Sequence, residues 1–259
     1  MRLQPLLTAL VLLAAPAVDA AAKDQALEQA VAAPHRSQNF VARDKYRHPQ
    51  KVLEFAGIKP TYTVVEVAPG GGYWTEILAP YLREKGTYYA TTSPRGLENL
   101  RKKLESDKKV YGSVKVTEMG PGSEIAPAGS ADLVLTFRNV HNWMAQGSAD
   151  QVFKSFYDAL KPGGVLIVEE HRARTDQPQD PKAANGYVRE DYTIGLAEKA
   201  GFKLAGKSDV LANPKDTKDW PKGVWTLPPT LALGDQDREK YVAIGEADNF
   251  LLKFEKPRS

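Results

Sequence analysis

The sequence predicts an α/β fold in which a mostly parallel sheet is covered by helices on both faces. Two observations carry this prediction. Short apolar runs, such as TVVEV at 63–67 and ADLVLTF at 131–137, alternate along the chain with amphipathic segments. The last two strand-like runs, in contrast, have no clear helix between them. We therefore expect the final strands to pair antiparallel at the edge of the sheet.

The segment before the first predicted strand is Ala-rich and then polar. Residues 21–49 predict a short helix that ends near Ala32, where Pro34 breaks the pattern, and then a linker. Pro49 opens a second helix that stops at Gly57, because proline favours the first helical position and glycine the residue after the last one.

Seven strand-like runs and the helical segments between them follow in order. The strands are expected at 63–67, 87–91, 113–119, 131–137, 164–170, 202–211 and 248–256, and the helices at 73–84, 94–104, 151–160 and 187–200. Pro80 predicts a kink or an early end in the first of these helices. Ser148 and Gln151 form a capping box ahead of the third. A Pro- and Lys-rich insertion at about 212–247 separates the last two strands.

The first twenty residues have the pattern of a secretory signal. Arg2 supplies a positive charge, Leu6–Val18 is apolar, and Val18 and Ala20 are small residues at the −3 and −1 positions of a cleavage site. We expect residues 1–20 to be removed and the chain to be periplasmic or secreted. The apolar run is too short for a span, so we expect no stable membrane insertion after cleavage. An uncleaved N-terminal anchor is the alternative. Residues 21–48 are then an N-terminal helix and linker, and residues 49–259 one domain.

The composition excludes several classes of site and partner. The 259 residues contain no cysteine, which rules out disulfides, zinc–thiolate sites and a cysteine nucleophile. The net charge of +3 is mildly basic. The densest basic run, at 101–109, contains acids and fits a solvated helix face better than a nucleic-acid site. We expect no nucleic-acid partner, and the sequence carries no signal for an oligomeric state.

The loop after the first strand contains Gly70, Gly71 and Gly72. Glycine lets the backbone approach a ligand because no Cβ intervenes. The N-terminus of the following helix presents free N–H groups to an anion. Glu66 adds a negative charge at the strand end, so a ligand with both a carboxylate and a cationic amine fits, as in the methionine part of S-adenosylmethionine. A tight turn that binds no ligand is the alternative.

Two other phosphate-binding loops fit this segment less well. A dinucleotide-binding loop needs a further glycine where the chain has Thr75, so a nicotinamide site is a weaker interpretation. A P-loop is excluded, because no Gly-Lys-Ser/Thr follows the glycines.

With these elements in order, the chain resembles the class I S-adenosylmethionine-dependent methyltransferases. The matching segments are VVEVAPGGGYWTEILA, ADLVLTFRNVHNW, LKPGGVLIVEEHR, AGFKLAGKSDVL and DNFLLKFEKP. The opening RDKYRHPQKVLEFAGIKP resembles a predicted methyltransferase group that carries an export signal. The resemblance covers residues 37–256. It implies a Rossmann-like, seven-stranded, mostly parallel sheet with an antiparallel last strand, S-adenosylmethionine as cofactor and a small-molecule substrate.

The resemblance also implies which residues hold the cofactor. Glu66, Ala68, Gly70 and Gly72 fall on the family's acidic-Gly-x-Gly-x-Gly pattern, with Ala68 in place of the first glycine. The family's ribose-binding acid after the second strand is replaced here by Thr91-Thr92-Ser93, and hydroxyl groups bind more weakly than a carboxylate. The predicted cofactor-binding set is Glu66, Ala68, Gly70, Gly71, Gly72, Thr92, Ser93, Glu118 (where the family often contacts adenine) and Asn139.

Candidate catalytic residues lie where the fourth and fifth strands end. His141 is the first candidate for a general base and His171 the second, since imidazole titrates near neutral pH. A His141 that only hydrogen-bonds its loop is the alternative. We interpret Glu169 and Glu170 as a solvated pair. The remaining polar candidates, Arg43, Tyr46 and Arg47, either close over the cofactor or form surface salt bridges.

The four histidines have no HxxxH or HExxH spacing, so we expect no metal site. The sequence thus predicts an S-adenosylmethionine-dependent methyltransferase that acts on an unidentified small molecule or envelope component. The alternative is an exported, non-catalytic ligand-binding protein on the same fold. A nicotinamide oxidoreductase rests on fold analogy alone.

Overall fold

A seven-stranded mixed sheet forms the centre of the molecule, with the strand order β3-β2-β1-β4-β5-β7-β6. The computed structural model describes residues 24–120 and 123–258, so the predicted signal peptide lies outside the described residues. The strands are β1 (Thr63–Val67), β2 (Thr87–Thr92), β3 (Lys115–Glu118), β4 (Ala131–Phe137), β5 (Leu160–His171), β6 (Lys203–Ser208) and β7 (Asn249–Glu255).

The pairing confirms the predicted fold class. Strands β1 to β5 pair parallel to one another, whereas β7 lies antiparallel between β5 and β6. Parallel strands all point their carboxyl ends to one edge of the sheet, and ligands of such folds bind along that edge. The residues that follow β1 and β4 and those that end β5 therefore share one side of the molecule.

Helices cover both faces of the sheet. They are α1 (Gln25–Val31), α2 (Gln38–Val41), α3 (Asp44–Arg47), α4 (Pro49–Ala56), α5 (Thr75–Leu82), α6 (Pro94–Glu105), α7 (Lys108–Tyr111), α8 (Val140–Gln146), α9 (Ala149–Ala159), α10 (Glu190–Ala200) and α11 (Arg238–Ile244). A 3₁₀ turn, Gly223–Thr226, lies in the insertion between β6 and β7.

The alternation of side chains along β1 divides the core in two. Val64 packs with the apolar residues of α1, α4 and α5 on one face. Val65 and Val67 pack with Phe153 and Phe156 of α9 on the other. Successive strand residues point to opposite faces, and both faces are covered, so every residue of this strand except its first is buried. Glu66 consequently faces the same side as Val64, below the start of α5.

The structure differs from the predicted elements in four places. The predicted linker contains the one-turn helices α2 and α3, and helix α8 follows β4 directly. The insertion contains α11, which its proline and lysine content had obscured. Ser148 precedes α9 as predicted but makes no side-chain cap. The proposed division at residue 48 stays a prediction.

Candidate functional site

The glycine loop joins β1 to α5 through a turn that needs left-handed backbone. Ala68, Gly70 and Gly72 have φ angles of +50°, +58° and +93°. Glycine adopts such angles without steric cost, whereas Ala68 is strained there. A Cβ built on Gly70 would meet no protein atom within 4 Å. Gly70 therefore borders free space into which a ligand fits.

A cavity of about 210 Å³ lies against this loop. Its walls come from the loop itself, from Phe40, Arg43 and Arg47 of the N-terminal segment, and from Phe137–Asn139 at the end of β4. Of the predicted cofactor residues, Glu66, Ala68, Gly70, Gly71 and Asn139 line it. The structure thus brings five of the predicted cofactor residues to one cavity.

The other predicted cofactor residues lie away from this cavity wall. Gly72 faces Lys103, whose Cε is 3.2 Å from the position of a built Cβ. Thr92 and Ser93 end β2 and cap α6 without lining the cavity. Glu118 is exposed at the end of β3. Their assignment to ribose and adenine stays a prediction.

Glu66 is buried below the loop with its carboxylate held by hydroxyl groups. Thr75 Oγ1 donates a 2.8 Å hydrogen bond to Glu66 Oε2, and the Tyr88 hydroxyl donates to the same oxygen. Burial raises the pKa of Glu66 to about 7, although both hydroxyl bonds and the charge of Arg47 oppose the shift. This carboxyl group therefore titrates near neutral pH.

Three arginines and two glutamates form a charged wall beside the cavity. Arg43 binds Glu246 through two hydrogen bonds of 2.6 and 3.0 Å, and Arg138 donates to the same carboxylate at 2.8 Å. Arg47 Nη2 lies 3.6 Å from Glu169 Oε2, which is too far for a hydrogen bond. The five residues are buried or largely buried and carry one excess positive charge.

Arg47 is the least compensated member of that wall. Its side chain is 6% exposed, and its Nε has no hydrogen-bond partner among the described residues. Burial, with repulsion from Arg138, lowers the pKa of Arg47 to about 10, so it stays charged near neutral pH. A buried, unpaired N–H beside a cavity is a donor for an anionic ligand. Of the two alternatives for Arg43 and Arg47, closure over the cavity fits their positions.

The N-terminal segment is fixed over the glycine loop. Ser37 donates to Glu76 of α5 from its backbone N at 2.7 Å and from its hydroxyl at 2.6 Å. Asp44 accepts a 2.7 Å hydrogen bond from Arg36. The Phe40 ring lies 3.4 Å from the position of a Cβ on Gly71. These contacts make residues 36–47 a cover of the cavity.

A second group of polar residues lies where β4 and β5 end. His141 Nδ1 donates to the Glu170 carboxylate at 3.0 and 3.1 Å. The backbone N–H groups of His141 and His171 donate to the same carboxylate at 3.1 and 2.8 Å. Burial raises the pKa of Glu170, but the charge and hydrogen bonds of the two histidines outweigh it and the net shift is downward.

His171 is held from the opposite side by β7. Its Nδ1 donates to Asn249 Oδ1 at 2.7 Å, which leaves Nε2 as the atom with a free lone pair. Burial lowers the pKa of His171 to about 3, so the ring is neutral in ordinary conditions. Glu169 and Glu170 are 1% and 0% exposed, so the interpretation of a solvated pair is wrong. It failed because Arg47 and Arg138 pack against Glu169 and His141 of α8 packs against Glu170, and no local pattern in the sequence marks these partners.

A second cavity, of about 190 Å³, opens beside these histidines. Its walls include both imidazoles and, from the insertion, Trp225, Pro228 and Pro229. Arg138 lines this cavity and the glycine-loop cavity alike. The backbone of Arg138, directly after β4, has a φ of +62°, in the left-handed region that non-glycine residues rarely adopt. The two cavities are therefore neighbours with one shared wall residue.

Sequence reasoning did not assign Arg138 or Glu170 to the site. The sequence did mark their position. Arg138 directly follows β4, and Glu170 is the second-to-last residue of β5, beside the candidate His171. Strand-end position alone would have placed both at the ligand-binding edge.

Comparisons with known proteins agree with this architecture. Residues 64–164 match a family model described as a methyltransferase domain. A crystal structure of a SAM dependent methyltransferase from Aquifex aeolicus has a TM-score of 0.58 and 18% sequence identity, over 83% of this chain and 93% of that one. The fold is the Rossmann-like methyltransferase fold. Comparison with curated protein sequences finds no match.

Other neighbours show the range of proteins on this methyltransferase fold. The [4+2]-cyclase SpnF has a TM-score of 0.59 and 17% identity, over 82% of each chain. An arsenic(III) S-adenosylmethionine methyltransferase from Chlamydomonas reinhardtii has a TM-score of 0.51 and 15% identity, over 90% of this chain and 73% of that one. The predicted cofactor, S-adenosylmethionine, is thus the cofactor named for neighbours on the fold. The name of the cyclase shows that the fold alone does not fix the reaction.

Within the described part of the chain, every helix is too short or too polar to cross a membrane. This finding leaves the predicted signal segment aside, since that segment lies outside the described residues.

Proposed function

We propose that this protein is an S-adenosylmethionine-dependent methyltransferase that acts on a small molecule or an envelope component. The observation that carries the proposal is a cavity that combines a left-handed glycine loop with a buried, incompletely paired arginine. The loop offers close backbone approach at Gly70, and Arg47 offers a cation for a carboxylate. The methyltransferase-domain match over residues 64–164 supports it.

The residues present fit the cofactor on its methionine side. Arg47 would bind the carboxylate, and the glycine loop would let the chain of the amino acid lie along the backbone. The cavity of about 210 Å³ is smaller than the roughly 300–1,000 Å³ of common ligand sites. Binding of the whole cofactor would therefore displace the cover of residues 36–47 outward. When bound, the cofactor supplies an electrophilic sulfonium methyl group.

The acceptor would enter the second cavity, on the far side of Arg138. Trp225 and two prolines give it an apolar wall against which an acceptor could be aligned, and alignment is a main contribution that a protein makes to methyl transfer. His141 and His171, the predicted catalytic residues, both line this cavity. Their assignment as general base stays a prediction.

We also propose that the protein is exported, on the strength of the signal pattern in residues 1–20. A ligand-binding protein without transferase activity is the second candidate. The observation that favours it is the Thr91-Thr92-Ser93 segment, which offers hydroxyls where the resembled family has an acid.

Calorimetric titration with S-adenosylmethionine and with its demethylated product tests the proposal. We expect micromolar binding of both by the purified protein. A folded sample that binds neither would refute the cofactor site. Binding without methyl transfer to any component of a cell extract would favour the ligand-binding protein.

Two glycine variants make this test specific. Gly70 and Gly129 have nearly the same φ, +58° and +65°, and a Cβ on either meets no protein atom within 4 Å. Gly70→Ala and Gly129→Ala should therefore strain the backbone equally. Only Gly70→Ala places a methyl group in the proposed site, so only that variant should weaken binding, and equal affinities would contradict the assignment.

A further inference from the structure

The residues at the ends of β4 and β5 have the composition of a metal site. His141, Glu170 and His171 each offer one ligand atom, and the three atoms lie within 4.8 Å of one another. All three residues are buried. We propose that His141, Glu170 and His171 bind a divalent first-row transition metal ion. Spacing along a helix could not reveal this set, because His141 lies in the first turn of α8 and the other two ligands end β5.

The donor types decide the class of ion. Two imidazoles with one carboxylate suit Zn²⁺, Fe²⁺ and their neighbours, and this set leaves further coordination positions open. Mg²⁺ and Ca²⁺ prefer a shell of oxygen atoms and fit poorly. The cavity of about 190 Å³ beside the histidines provides room for a water molecule or a substrate atom on the same ion.

Hydrogen bonds behind the ligands hold them as metal ligands are commonly held. Asn249 Oδ1 accepts from His171 Nδ1 at 2.7 Å, which fixes the ring and leaves Nε2 available. The backbone N–H groups of His141 and His171 hold the Glu170 carboxylate, and metal ligation would replace the hydrogen bond that it accepts from His141 Nδ1, with release of that proton to solvent. Partners of this kind set the orientation and tautomer of a ligating imidazole.

Charge balance gives an independent reason for a cation. Glu170 is fully buried, and its only ion-pair partner within the described residues is the imidazole of His141. Arg138 points its guanidinium to Glu246 and Glu169 instead. A buried carboxylate is normally paired with a full charge or coordinates a metal. A divalent ion at this place compensates the carboxylate.

The chemistry that such an ion would supply rests on the proposed function. An acceptor hydroxyl or thiol that coordinates the ion would lose its proton more readily, because a bound metal lowers the pKa of its ligands. The acceptor class would then be a molecule with an oxygen or sulfur atom that can reach the ion through the second cavity.

Titration of the tag-free, metal-stripped protein with Zn²⁺ by calorimetry tests the site. We expect one equivalent to bind to the wild-type protein and no comparable binding of Mg²⁺. Titration with Co²⁺ followed by visible absorption should give bands that report a low coordination number. These readouts need no S-adenosylmethionine, so their failure is distinguishable from failure of the proposed function.

Matched variants locate the ion. His171→Asn removes a ligand, whereas His48→Asn is the control, since His48 lies outside the cluster and its left-handed backbone tolerates asparagine. Asn249→Ala should weaken Zn²⁺ binding by about 10–100-fold, and His171→Asn by more. Folding of each variant is checked by thermal melting. Wild-type protein that binds no stoichiometric Zn²⁺, or a folded His171→Asn variant that binds like wild type, would overturn the proposal.

Discussion

Replacement of Glu66 by glutamine should stabilise the protein in a pH-dependent manner. Glu66 is 1% exposed, and its pKa is raised from 4.5 to about 7. The folded protein therefore holds a proton that the unfolded chain releases between these values. Wild-type stability must fall as the pH rises through this window and level off above it.

The size of the effect follows from the two pKa values. The shift corresponds to about 3 kcal/mol in the free energy of unfolding, of which about 2.5 kcal/mol falls between about pH 5 and pH 8. Glutamine does not titrate and still accepts hydrogen bonds from Thr75 and Tyr88. The difference in stability, Glu66→Gln minus wild type, should rise by that amount over the window, whatever constant cost the substitution carries.

Urea unfolding at a series of pH values measures this difference. Glu76→Gln is the control, because the pKa of Glu76 is shifted in the opposite direction to that of Glu66. Burial raises the pKa of Glu76, but hydrogen bonds from Lys103 and Ser37 outweigh burial, so the net shift is downward. Its carboxylate contributes stability above the unfolded pKa and loses it as the pH falls through the folded value. The Glu76→Gln difference should stay flat from about pH 5 to pH 8. A Glu66→Gln difference that is equally flat, or that falls, would refute the reasoning.

Three further substitutions have defined outcomes. Arg47→Met should weaken S-adenosylmethionine binding by about 10–100-fold in calorimetry, yet spare 5′-methylthioadenosine, which lacks the carboxylate; equal losses would contradict the assigned role. Phe153→Ala, at a fully buried side chain, should lower the free energy of unfolding by about 3–5 kcal/mol in urea. Gly223→Ala should destabilise by at least about 1–3 kcal/mol, because its Cβ would lie 2.0 Å from Asn185 O at a φ of +55°. Gly195→Ala is its control, since no protein atom lies within 4 Å of that Cβ and the helix gains about 0.5–1 kcal/mol.

Local patterns were sufficient to predict the seven strands and helices α1, α4, α5, α6, α9 and α10. The run TVVEV is apolar enough to be a strand buried on both faces, and Gly201 stops α10 in the left-handed conformation that glycine favours. Helix α8 was missed because it has only seven residues and starts shortly after β4, although Asn139 stands at its N-cap. Helix α11 was missed because its seven residues bury only Tyr241, so the apolar spacing is faint.

Only the part of the site that is built from residues close together in the sequence could be predicted. The glycine loop could be identified because all its parts lie within nine residues of sequence. The ion pair of Arg43 with Glu246 joins positions 203 residues apart, and nothing local marks the partner. Glu169 is likewise buried against Arg47 and Asn249, and Glu170 against His141, which all come from other elements of the fold. Polar residues at strand ends look solvated until their partners are known.

The pairing of Arg43 with Glu246 also affects when the cover of the cofactor cavity can form during synthesis and folding. Arg43 is synthesised 203 residues before Glu246. The cover over the glycine loop therefore gains this ion pair only after synthesis has passed α11, the last helix of the described residues. A chain that crosses a membrane unfolded cannot carry its ligand along, because the glycine loop, the end of β4 and the N-terminal cover form the cavity together only in the folded protein. If the proposed export takes place through the unfolded chain, the folded protein must meet its S-adenosylmethionine on the far side of the membrane.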